Sequence, residues 1–139
     1  MRIILTSFKD SVNWGGPKFS TARWQPSGYS YLELRFLAPF DLDTGRAMVH
    51  LTPALFKERY ERLLDSHARE IVRFLTQQTE DQVAQVVLCC WCNRARQPNY
   101  SHLYCHTVLL GWWLESHSPE VEVVYADGRE RDWFADIPR

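Results

Sequence analysis

A chain of 139 residues with 45% hydrophobic and 14% aromatic content has the size of one compact domain and enough apolar surface to bury a core, which excludes a second domain. Its formal net charge of −1 excludes the strong overall positive field that drives nonspecific nucleic-acid binding, leaving only a local basic patch as a route to phosphate. The apolar run at the start is too short for a signal peptide, and no stretch approaches the roughly 18 apolar residues of a membrane helix. A cytoplasmic chain without a membrane partner is therefore expected, and in that reducing compartment its thiols should be free or metal-bound.

In chain order, residues 2–8 read as a buried opening strand, ended by Asn13-Trp14-Gly15-Gly16-Pro17. A second strand is expected over residues 18–24, stopped by Gln25-Pro26-Ser27-Gly28, and residues 29–49 show no clean period and read as a long loop with at most one short element. Thr52-Pro53 is a helix start, a hydroxyl cap followed by proline, and Phe56, Tyr60, Leu63 and Leu64 recur at helical spacing behind it. Asp65-Ser66 offers a fresh cap for a second helix, from Ala68 to about Gln77. The unbroken apolar run of residues 85–91 suits a central strand covered on both faces. A buried helix is expected from His102 to about Glu115, then a strand over residues 121–125, with Asp127-Gly128 as a hairpin turn folding residues 130–134 back as a further strand.

Strands alternating with helices imply a single three-layer, Rossmann-like α/β domain, with a mainly parallel sheet and helices on both faces. Ligands of such sheets bind beyond the carboxyl ends of the strands. Those ends are Thr6-Ser7-Phe8, Arg23-Trp24 and Cys90-Trp91-Cys92, and the last runs on toward His102, Cys105 and His106. All four cysteines and two of the five histidines fall between Cys89 and His106. A site is thus expected where Ser7, Arg23, Trp24, Cys90, Cys92, Cys105 and His106 line one cleft.

Three readings of the cluster compete. In the catalytic one, Cys105 lies in the first turn of a helix, where free amides favour the thiolate, His106 or His102 serves as base, and Arg23 grips an anionic group. In the metal one, Cys90, Cys92, Cys105 and His102 or His106 supply a soft tetrahedral set for zinc; Cys90 and Cys92 face one side of a strand, Cys89 the other. In the third, the thiols are small packed core residues and Arg23 pairs with a carboxylate. Gly15-Gly16-Pro17-Lys18 lacks the spacing of a phosphate loop. His50 and His67 read as solvated, and His117 as a helix-terminal charge. Trp14, Trp24, Tyr29, Tyr31, Phe36 and Phe40 give the first half an aromatic density whose first use is core packing and loop anchoring but which is also able to stack bases, so a nucleotide or nucleic-acid phosphate is the leading ligand class.

Ser20-Thr21-Ala22-Arg23-Trp24-Gln25-Pro26, the early Leu5-Thr6-Ser7-Phe8, the Val87-Leu88-Cys89-Cys90-Trp91 strand and Tyr104-Cys105-His106 together resemble the family known as domain of unknown function 488. That family is a small α/β domain with an S-x-A-R-W-x-P segment, a strand ending in Cys-aromatic-Glu and a Cys-His-Arg at a helix start. The resemblance implies the fold and the place of the site rather than an activity. Cys92 stands where the family has glutamate, Thr107 replaces the arginine after Cys-His, and the loop of residues 93–103 is longer. Two functions follow as expectations: a domain acting on or binding a nucleotide or nucleic-acid phosphate, or a noncatalytic binding module whose cysteine cluster is structural, with or without zinc, the metal-free state being favoured.

Overall fold

In the computed structural model, which describes residues 1–48, 51–91 and 105–137, β1 (Arg2–Ser7) and β4 (Gln85–Cys90) run parallel at the centre of the sheet, from Arg2 opposite Gln85 to Ser7 opposite Cys90. Both are buried along nearly their whole length, as strands covered on both faces must be. β2 (Lys18–Ser20) and β3 (Leu32–Glu33) extend the sheet on the β4 side and β5 (Glu122–Tyr125) on the β1 side, all parallel, in the order β3-β2-β4-β1-β5.

That order dictates where the connections go. Right-handed crossovers moving in opposite directions across a parallel sheet must lie on opposite faces. α1 (Pro53–Ser66) and α2 (Ala68–Glu80), between β3 and β4, and α3 (His106–His117), between β4 and β5, pack with Ile3, Leu5, Val86, Leu88 and Cys90 on one face. The links from β1 to β2 and from β2 to β3 cover the other face, where Ile4, Val87 and Cys89 meet Phe8, Trp14, Ala22, Tyr29 and Tyr31. The three layers are therefore present, but the expectation of helices on both faces is corrected. Among the described residues the second cover is a 3-10 turn (Asp10–Asn13) and aromatic loops, whose mutually packed rings replace a helix.

Thr52 caps α1 as read, its hydroxyl accepting from the Leu55 amide ahead of Pro53. α2 runs three residues past the expected Gln77, to Glu80. β2 stops at Ser20 instead of reaching Trp24: the Ser20 hydroxyl accepts from the Ala22 amide and turns the chain out of the sheet. α3 begins at His106, so Cys105 is its extended N-cap residue rather than part of its first turn. The expected hairpin does not form among the described residues. Asp127 and Gly128 do adopt the paired positive φ of a tight turn, 56° and 77°, but residues 130–137 coil back as successive turns. Phe134, fully buried, then stacks on Phe56 and meets Trp112 edge-on, so packing between helices wins over strand pairing at the sheet edge. Lys57 anchors this tail by donating to the carbonyls of Phe134 and Ile137. No helix among the described residues is long and apolar enough to cross a membrane.

Candidate functional site

The chain leaves β1 toward one face and β4 toward the other, which opens the carboxyl edge between them, and this is where the thiols lie. Cys90 ends β4 and Cys105 caps α3; their sulfurs are 3.4 Å apart, both residues are about 1% exposed, and neither is in a disulfide. The Arg129 guanidinium, 5% exposed, is buried against them. Its Nη2 donates to Cys90 Sγ at 2.6 Å, its Nε to Thr107 Oγ1 at 2.9 Å and its Nη1 to Asp127 Oδ2 at 2.9 Å. Because Thr107 Oγ1 accepts from Arg129, its hydroxyl proton is available to Cys105 Sγ, 2.8 Å away. One cation thus bears on Cys90 directly and on Cys105 through a hydroxyl.

The tight turn at Asp127-Gly128 makes this arrangement. It carries Arg129 back to the end of β4 and the start of α3 and turns Asp127 so that Oδ2 accepts from the Ser7 amide at 2.6 Å, tying the turn to the end of β1. Burial opposes the charge on Asp127, but the bond from Ser7 and the Arg129 charge outweigh it and hold the carboxyl below its usual range. Burial likewise opposes the charge on Arg129, and the neighbouring Cys90, Cys105 and Asp127 outweigh it, so the guanidinium stays charged. Ser7 itself is buried, its hydroxyl accepting from the Asp10 amide.

His106 faces elsewhere than expected of a base for Cys105. Its Nε2 lies 3.0 Å from Thr21 Oγ1 and 3.1 Å from Thr21 O, while the Thr21 hydroxyl donates to the Cys89 carbonyl. That hydroxyl can then only accept, so Nε2 carries the proton in the tautomer the network assigns. Burial against Tyr60 depresses the His106 pKa, keeping the ring neutral and making it a strut from α3 to the end of β2. Cys89 sits on the opposite face of the sheet, where burial pushes its thiol up to about 12 and leaves it inert.

At the rim, Arg23 lies exposed, its guanidinium 4.7 Å from the Trp24 ring centre and 4.5 Å from that of Phe40. No ion pair of Arg23 with a carboxylate is found among the described residues. Asp41, next to Phe40, is ion-paired to Arg59 of α1, which fixes the loop that supplies this ring. Trp24 and Trp91 are 58% and 53% exposed, and Trp91 Nε1 donates to the Trp24 carbonyl at 2.8 Å.

The structure therefore brings Cys90 and Cys105 together and sets Ser7 and His106 beside them. Arg23 and Trp24 follow Thr21 at the same edge of the sheet. Cys92 and His102, proposed as zinc ligands, lie outside the described residues. No three His, Cys, Asp or Glu side chains converge as a metal set among the described residues, and Arg129 already places a positive charge on Cys90. Sequence reasoning missed Arg129, Asp127, Thr107 and Thr21. The one available signal was Asp127-Gly128, whose positive-φ geometry reverses the chain whether or not a strand follows. Comparisons with family models, with curated proteins and with solved structures find no match to this chain.

Proposed function

We propose that this domain binds a nucleotide or a nucleic-acid phosphate at the carboxyl edge of its sheet. Arg23 is the anion holder, and Trp24 and Trp91 are the stacking surface. The single observation carrying this reading is the clamping of Arg23 between two rings, without a described carboxylate partner, beside two half-exposed indoles. A guanidinium held in this way keeps its donor edge free for a phosphate, and exposed indoles gain by covering a base. The likeness to domain of unknown function 488 belongs to the same reading. It is supported by the short motifs, far apart in sequence, meeting at one edge, and by Arg129 reaching Thr107, where that family has its arginine.

Any chemistry on the ligand would fall to Cys105, with Thr107 and Arg129 rather than His106 as its partners. The second reading, a noncatalytic module with a structural thiol cluster, is favoured by the near-complete burial of both thiols. Titration of tryptophan fluorescence with a nucleoside 5′-monophosphate, its nucleoside and inorganic phosphate tests the ligand. The monophosphate should quench at the lowest concentration, and Arg23→Gln should weaken it toward the nucleoside. Equal response to nucleoside and nucleotide would overturn the role of Arg23. Cys105→Ser should leave binding intact under either reading.

A further inference from the structure

We propose that Cys90 and Cys105 form a reversible dithiol–disulfide couple, a redox site separate from the ligand rim. They stand 3.4 Å apart, within hydrogen-bonding distance for two thiols, and come from two different elements, the end of β4 and the cap of α3. A disulfide needs about 2.0 Å between sulfurs, so the bond requires a small approach rather than a refolding. Arg129 supplies what a reactive pair needs: a buried cation 2.6 Å from Cys90 Sγ that favours its thiolate, the nucleophilic form. Cys89 is on the other face of the sheet, where burial outweighs the charges of Lys18 and Arg129 and holds its thiol protonated.

With hydrogen peroxide as oxidant, the Cys90 thiolate attacks one peroxide oxygen. The O–O bond breaks, the departing hydroxide takes a proton to become water, and Cys90 is left as sulfenic acid. The Cys105 sulfur then attacks the Cys90 sulfur, the S–S bond forms as the S–O bond breaks, and hydroxide leaves with the Cys105 proton as a second water. Two thiols are oxidised by one electron each and one peroxide is reduced. Arg129 loses a charged acceptor in the process, so the reduced form is favoured electrostatically and a dithiol reductant should restore it. Both thiols are about 1% exposed, which admits an oxidant the size of peroxide far more readily than one the size of glutathione disulfide.

The test is thiol counting and peptide mapping on the folded, full chain treated with stoichiometric peroxide, with Cys92→Ser as a second sample. The expected result is loss of two of the four thiols, a mass lower by two hydrogens, a Cys90–Cys105 cross-link in both samples and full reversal by dithiothreitol. Four thiols persisting under excess peroxide, a cross-link through Cys92 that vanishes in Cys92→Ser, or irreversible oxidation of single cysteines would each overturn the proposal. No nucleotide enters this experiment, so its outcome is independent of the ligand reading.

Discussion

Removing the Arg129 guanidinium probes the electrostatic centre of the molecule. In Arg129→Met the aliphatic stem is retained, but the Asp127 carboxylate loses its cation while its side chain remains about 1% exposed. Breaking a buried pair from one side costs about 3–5 kcal/mol, because the remaining charge stays desolvated. For a domain of this size that lowers the melting temperature by roughly 10–20 °C. Asp127→Asn in the same background keeps an acceptor for the Ser7 amide at 2.6 Å while removing the stranded charge. The double variant should therefore recover about half of the loss or more, a coupling read as a double-mutant cycle from urea unfolding. A cost below about 1 kcal/mol for Arg129→Met, or strictly additive losses, would mean that the guanidinium is solvated and the proposed charge centre does not exist.

Four further outcomes are expected. The pKa of His106 is depressed by burial, so the unfolded chain binds its proton first as pH falls below about 6.5, and stability should drop there by at most about 1.4 kcal/mol per pH unit; His106→Gln should flatten that segment in pH-dependent urea midpoints. Asp127, whose pKa is lowered, contributes stability present above its unfolded value and lost as pH falls through its folded one, so its loss appears in more acid solution than that of His106. Phe134→Ala should cost about 3–5 kcal/mol in thermal unfolding, since the ring is fully buried against Phe56, Trp112 and Trp133. Gly16→Ala should lose about 2–3 kcal/mol, because φ is +105° there and a Cβ would run into the Gln85 carbonyl oxygen.

The sheet was legible because its central strands are apolar on both faces and its helices carry ordinary start signals, as Thr52-Pro53 shows. What escaped depends on tertiary context. Residues 21–24 have strand-like composition, but a single side-chain bond from Ser20 turns them out of the sheet. Residues 130–134 read as a strand only because Asp127-Gly128 signals a hairpin, yet burying Phe134 between two helices outweighs an edge ladder. Cys90 and Cys105, clustered in sequence, also lie together in space, converging from positions fifteen residues apart. Their cation did not announce itself: Arg129 lies 24 residues beyond Cys105, and only the turn at Asp127-Gly128 brings it back. His106 was given a chemical role by its neighbour in sequence, whereas its ring is directed across the sheet edge to Thr21.

The chain has six tryptophans, each with one indole N–H resonance, and these report the ligand rim residue by residue. Adding a nucleoside 5′-monophosphate while recording nitrogen–proton correlation spectra should shift the indole signals of Trp24 and Trp91 saturably. Trp24→Phe and Trp91→Phe identify those signals. The indoles of Trp112 and Trp113, which donate to the Arg131 carbonyl and to Asp65, should stay in place. Shifts confined to Trp112 or Trp113, or none at saturating ligand, would contradict a nucleotide site at the carboxyl edge of the sheet.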